Sequence, residues 1–390
     1  MVYYIRQAFI LSMVCVMLLL CGCSSQEPDA PPLTKRTVLV YMVANNASLG
    51  GAGYDTLDIE EMKAAAANGD LAGGRLIVYH AGVNAAPQLL DITQAGIVVL
   101  KTYDDSQYSV ERARLEDVIS DTKRYAPAED YGLVLWSHAS GWLQDGITEA
   151  DEASTLSFGY DRGKKMNVST LAKALTDKGF SFVYFDCCQM ASVEVAYELR
   201  HATDFIVASA IELPIEGMPY DKNVKCFFTD TPDLIQAARN TFKLYDGQEN
   251  PENRWCSMSV IDTSEIDALA DATRAIYSAL PDMTLPPGYT PQKYQLDGRV
   301  YLYDFADYVT SMAEAYGIPA LLLSEYDEAM HRAVIYKDAT PMLYNTLPLT
   351  RHSGLSTFIM KSQQEAVTKN YNQLQWFADV ASALIKTSQQ

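Results

Sequence analysis

Two segments of this chain carry side chains able to attack an amide. Residues 133–142 (LVLWSHASGW) contain His138, and residues 182–190 (FVYFDCCQM) contain Asp186, Cys187 and Cys188. Each opens as a continuous apolar run, the signature of a strand buried on both faces. The imidazole and the thiols therefore fall at the carboxyl ends of two strands. A thiol beside an imidazole is enough for acyl transfer: the ring takes the thiol proton, sulfur attacks the carbonyl, and the ring returns the proton to the leaving amine. Strand alternation puts Asp186 and Cys188 on one face and Cys187 on the other. Cys188 is thus the candidate nucleophile, and Cys187 a buried neighbour. A helix predicted over 189–200 would favour the Cys188 thiolate through its free N–H groups. The competing reading is two core thiols at a strand end, with Asp186 capping that helix.

The elements around these segments alternate. Strands are predicted at 37–43, 75–80, 133–137, 180–185 and 205–209, with a hairpin strand at 97–103. Helices are predicted at 55–68, 110–125, 168–178 and 189–200. Alternating strands and helices imply a mainly parallel sheet covered on both faces, with its site beyond the carboxyl ends of the strands. After about Lys222 the rhythm changes. Helices are expected at 234–245, 264–280, 301–316 and 322–334, and strands at 255–262 and 355–360. The resulting division is a core over 36–225 and a mixed, mainly helical subdomain over 226–390 that packs on it.

Composition limits the partners. The 390 residues are 48% hydrophobic and 20% charged, ordinary for a globular chain, with net charge −19. Such a surface is unsuited to nucleic acid, which needs a basic face. Arg6, the apolar run 8–20 and then Leu20-Cys21-Gly22-Cys23 resemble a bacterial lipoprotein signal. Cleavage after Gly22 would leave Cys23 lipidated and the chain anchored to a bilayer at the periplasmic or cell surface. The apolar run is too short for a confident spanning helix. Residues 1–22 then form the signal, and the Pro-rich 23–35 a flexible tether. Of the seven cysteines, Cys187, Cys188, Cys226 and Cys256 remain, too few for a disulfide framework.

The matches spread along the chain resemble the clostripain family of cysteine peptidases, whose caspase-like fold is shared with gingipains and legumain. They are Val40-Tyr41-Met42 with Asn45-Asn46, then Trp136 to Trp142, then Asp186 to Met190 with Glu194 to Leu199, then Val207-Ala208-Ser209 and Met218-Pro219-Tyr220. The 50 positions from His138 to Cys188 suit a caspase-type enzyme. The resemblance implies an endopeptidase acting through a thioester on Cys188, with His138 as base and the backbone N–H groups of Ala139 and Cys188 as oxyanion hole. It places Asp186 at the floor of the pocket for the residue before the cut, where a buried carboxylate selects Arg or Lys. It also raises self-cleavage between the His and Cys strands, where Arg162, Lys164 and Lys165 are the basic residues available. Here Ala139 replaces the family's usual Gly, Cys187 precedes the nucleophile, and 213–217 (LPIEG) departs from the commoner Gly-rich form. The acidic run 145–152 could bind Ca²⁺, as some family members do, but it lacks EF-hand spacing and reads as a solvated loop. No other metal or cofactor is expected. Two rivals stand beside this reading: an inactive binding lipoprotein on the same fold, and a peptidase with non-basic preference.

Overall fold

Thr34–Val43 (β1) shows why a parallel sheet forms. Leu39, Tyr41 and Val43 enter one core cluster, while Val38, Val40 and Met42 enter another on the opposite face. The computed structural model describes residues 31–142, 158–296, 302–368 and 370–385. The signal, Cys23, most of the tether and the acidic run 145–152 lie outside the described residues.

Eight further strands complete the main sheet: β2 (Arg75–Ala81), β3 (Gln88–Thr93), β4 (Gly96–Thr102), β5 (Ala128–Trp136), β6 (Phe180–Asp186), β7 (Thr203–Ala208), β8 (Ser257–Asp262) and β9 (Val334–Ala339). Their order is β9-β8-β7-β6-β5-β1-β2-β3-β4. The central five are parallel. Antiparallel pairs close each edge. On one face lie α1 (Tyr54–Ala67), α5 (Tyr220–Phe227) and α6 (Leu234–Asp246). On the other lie α2 (Arg112–Tyr125), α3 (Val168–Leu175), α4 (Val193–Leu199), α7 (Ile266–Ala279), α8 (Phe305–Ala315) and α9 (Ala320–Ala333). Residues 33–390 cluster as one compact unit, and the second half of the chain supplies β8 and β9.

The chain runs from β1 to β2 on one side and returns to β5 on the other. The topology thus reverses at β1, the kind of switch point beside which such sheets usually bind ligands. Three expectations change. The helix expected from Gln189 begins at Val193, where Ser192 caps it by accepting the Val195 N–H at 3.2 Å. The helix expected from 301 begins at Phe305, after a short strand Leu302–Asp304. Strand β9 and helix α5 were not anticipated, because their apolar patterns are short and interrupted by charge.

Candidate active site

Strand register brings the candidate residues together. Trp136 on β5 pairs with Asp186 on β6, so His138 and Cys188 each lie two positions beyond the same rung. The turns that carry them touch. Gly141 has φ 65°, and a Cβ there would sit 2.9 Å from the Gln189 carbonyl oxygen. Ala139 is not among the positive-φ residues, so replacing the family's Gly costs no backbone strain at that position.

The His138 loop is braced from two sides. Ser137 Oγ donates to the Val43 carbonyl at 2.8 Å and accepts from the Tyr160 N–H at 3.1 Å. Gly159 N–H donates to the His138 carbonyl at 3.0 Å. Those last donors belong to a hairpin formed by Phe158–Asp161 and Lys164–Met166. The ring itself is half-buried, with Nε2 2.6 Å from Ser48 Oγ. Burial lowers its pKa, and the Lys165 ammonium adds to the effect. His138 is therefore neutral at neutral pH.

Cys188 faces the segment after β7. Its Sγ accepts from the Leu213 N–H at 3.4 Å and contacts the Leu213 carbonyl at 3.7 Å. Burial pushes the thiol up to about 12, with the Leu213 N–H opposing and the Glu212 carboxylate reinforcing the rise. Among the described residues no helix N-terminus favours the Cys188 thiolate. Cys188 lies five residues before α4, and Gln189 adopts φ 61° between them. The N–H groups of Gln189 and Ala191 instead donate to Ile211 and Ser209, both at 2.9 Å. Neutral thiol and neutral imidazole are thus the resting forms. Cys187 lies on the opposite face, 4% exposed in the apolar core, where burial raises its pKa. Cys226 and Cys256 are buried free thiols.

Below Cys188 lies a group of carboxylates. Asp186 is 5% exposed; Oδ1 accepts the Met218 N–H at 3.0 Å, and Oδ2 is buried without a hydrogen bond. The buried Tyr220 hydroxyl lies beside it, outside strict hydrogen-bond geometry, and lowers the pKa of Asp186 as a donor would. Asp58 on α1 accepts the Trp136 indole N–H at 2.6 Å. Burial raises the pKa of both aspartates, and the charge of Asp186 raises that of Asp58 further. Gly217 (φ 68°) closes over Asp186, and a Cβ there would lie 2.9 Å from both carboxylate oxygens. Glycine is required at 217 for both reasons.

The remaining candidates are placed as follows. Arg162 sits at the hairpin turn with φ 49°, its guanidinium bonded to Asp161 and to the carbonyls of Asp105 and Gln107. The Lys164 ammonium lies 3.7 Å from the Tyr108 ring centroid, and that of Lys165 lies 5.3 Å from the Tyr160 centroid. His80 pairs with Asp55 at 2.7 Å. Among the described residues no group of three or more His, Cys, Asp or Glu could hold a metal ion, and no helix is long and apolar enough to cross a membrane.

A parallel-centred sheet with Cys and His at adjacent strand ends has the architecture of caspase-like cysteine peptidases, and the comparisons agree. The model of the clostripain family matches residues 40–389, so the chain belongs to the clostripain family of cysteine peptidases. An inactive zymogen C11 protease from Parabacteroides distasonis is similar at 30% identity and TM-score 0.76, over 90% of this chain and 99% of that one. A secreted C11 cysteine protease from Bacteroides thetaiotaomicron, solved with an irreversible peptide inhibitor, is similar at 28% identity and TM-score 0.75, over 89% and 99%. No curated protein matches the chain.

Sequence reasoning missed Ser48, Asp58, Glu212 and Tyr344. Asp58 carried a signal: it shares the buried face of α1 with Met62 and Ala65, where an unpaired carboxylate is costly. Tyr344 donates to the Glu212 carboxylate beside Cys188, and its ring packs on Trp255 at 4.3 Å. Residues so far apart in the chain leave no local pattern to read.

Proposed function

We propose that this peptidase is an exported, lipid-anchored endopeptidase that cuts after Arg or Lys, with Cys188 as nucleophile and His138 as base. The observation that carries the specificity is Asp186. A buried carboxylate with no ion-pair partner among the described residues, and only the Tyr220 hydroxyl near its Oδ2, is costly unless a ligand completes it. A guanidinium or ammonium supplies the missing donor and charge. Arriving substrate would also draw Asp186 into its ionised form.

The chemistry follows from the resting protonation. His138 removes the thiol proton as sulfur attacks the carbonyl. The oxyanion is received by the N–H groups of Cys188 and Ala139. Imidazolium then protonates the leaving amine, and the thioester is hydrolysed by water that His138 activates. Because the thiol is held neutral, proton transfer accompanies attack, and the Leu213 N–H favours the thiolate character that develops. That one similar protease was solved as an inactive zymogen supports a maturation step. Cleavage after Arg162, Lys164 or Lys165 would open the hairpin that braces the His138 loop. The lipobox at Cys23 supports anchoring, and the similar secreted protease supports export.

The test is covalent trapping. Chloromethyl ketones ending in Arg or Lys should label Cys188 far faster than those ending in Leu or Asp, with the adduct located by mass spectrometry. Equal labelling by all four would remove the basic preference. Labelling of Cys187 alone would remove the assignment of the nucleophile.

A further inference from the structure

We propose that Ser48, itself oriented by Asn46, is the positioning residue that fixes the tautomer and direction of the His138 ring. Asn46 and Ser48 follow β1, and His138 follows β5, the strand paired with it. The Asn46 amide has one orientation. Its Nδ2 donates to the Tyr160 carbonyl at 3.3 Å, and its Oδ1 accepts the Leu49 N–H at 2.9 Å. A carbonyl cannot donate and an amide N–H cannot accept, so the two ends are not interchangeable. Ser48 Oγ lies 3.1 Å from that same Oδ1. An amide oxygen only accepts, so the single hydroxyl hydrogen of Ser48 points to Asn46. The 2.6 Å contact between Ser48 Oγ and His138 Nε2 then leaves one assignment: Nε2–H donates and Ser48 accepts.

The consequence is chemical. A neutral imidazole protonated at Nε2 has its lone pair on Nδ1, so Nδ1 is the nitrogen that takes the Cys188 proton. No proton exchange between the two ring nitrogens is then needed before the reaction. When imidazolium forms, the Nε2–H to Ser48 bond strengthens, because its donor is then charged. Ser48 contributes no charge of its own. It favours the charged ring less than a carboxylate would, so burial and Lys165 still leave the pKa of His138 lowered. The support is rigid: Asn46 N–H donates to the Ala44 carbonyl at 2.7 Å, and Gly51 N–H donates to the Asn46 carbonyl at 2.9 Å.

This inference rests on His138 being the base, and the experiment separates the two. In the purified full chain labelled with ¹⁵N-histidine, His138, assigned by its absence in His138→Gln, should show a protonated Nε2 and an unprotonated Nδ1. The reverse tautomer, or an even mixture, overturns the proposal in the unaltered site, with the folded His138→Gln chain needed only for the assignment. Ser48→Ala should lower kcat at least ~10-fold with KM nearly unchanged, and Ser48→Thr should restore most of it. Removing an acceptor that favours the charged ring should also move the acid limb of Cys188 alkylation by iodoacetamide to lower pH. That reagent is small and neutral, so its profile does not depend on the Arg or Lys preference. A kcat loss shared equally by Ser48→Thr, or an unmoved acid limb, refutes the positioning role. An unchanged alkylation profile in His138→Gln refutes the base itself, and with it this inference.

Discussion

Asp186→Asn gives the sharpest test of specificity. The two side chains are nearly isosteric, so the fold is preserved. The new amide can keep its Oδ1 on the Met218 N–H, which places an NH₂ group where the carboxylate Oδ2 now lies. That position changes from an acceptor with charge to a donor without it. An Arg or Lys entering there loses its counter-ion and meets like-oriented N–H groups. Breaking a buried ion pair by removing one member costs about 3–5 kcal/mol. Asp58 and Glu61 remain nearby and retain part of the negative field, as their electrostatic coupling to this site shows. The net loss should therefore be about 2–4 kcal/mol, or roughly 30- to 900-fold in kcat/KM for basic substrates. The assay is a set of fluorogenic peptides differing only in the residue before the cut, with active sites counted by thiol titration. Neutral peptides should change by less than ~3-fold. The pH dependence gives a second check. Burial raises the pKa of Asp186, and a bound cation needs it ionised. KM for basic substrates should therefore fall as pH rises through that raised pKa, and the Asp186→Asn enzyme should lose the trend. Equal losses on basic and neutral peptides would refute the reasoning and make Asp186 a structural residue.

Four further outcomes are expected. Cys188→Ala and His138→Ala should each abolish hydrolysis while Cys187→Ser retains it; an active Cys188→Ala would show that the wrong thiol was chosen. Glu194 is fully buried, with Oε1 accepting from Thr357 Oγ1 and the Phe358 N–H, and burial raises its pKa from 4.5 to about 7. The folded state then holds this proton at a pH where the unfolded chain has lost it, so stability should fall by roughly 3 kcal/mol between about pH 4.5 and 7. Glu194→Gln should flatten that slope in urea melts, and an unchanged slope would assign the pH dependence elsewhere. Cys23→Ser should move the protein from the membrane to the soluble fraction, whereas retention that needs detergent to reverse would contradict the lipobox. Active enzyme should separate into two fragments on a denaturing gel with a new N-terminus within 163–166, and Cys188→Ala should stay whole; an active single chain would discard self-cleavage.

The sequence alone determined the alternating core of the fold. Buried parallel strands must be apolar on both faces, so 37–43, 133–137 and 180–185 announce themselves without any neighbour's help. The same logic put His138 and Cys188 at strand ends and turned Cys187 into the core, because side-chain period two is fixed by backbone geometry. The helix after Cys188 was misjudged by local pattern. Residues 189–192 are compatible with a helix, but the N–H groups of Gln189 and Ala191 are claimed by Ile211 and Ser209, in a segment whose position depends on the whole sheet. Short edge elements such as β9 were illegible for the related reason that exposed strands need little apolar patterning. Only the tertiary structure decided the electrostatics. The carboxylates of Asp58 and Asp186, the Tyr344 contact to Glu212 and the Ser48 contact to His138 each join residues from distant parts of the chain. Hydrogen-bond direction and pKa depend on what is brought within a few ångströms, and sequence order does not encode that distance.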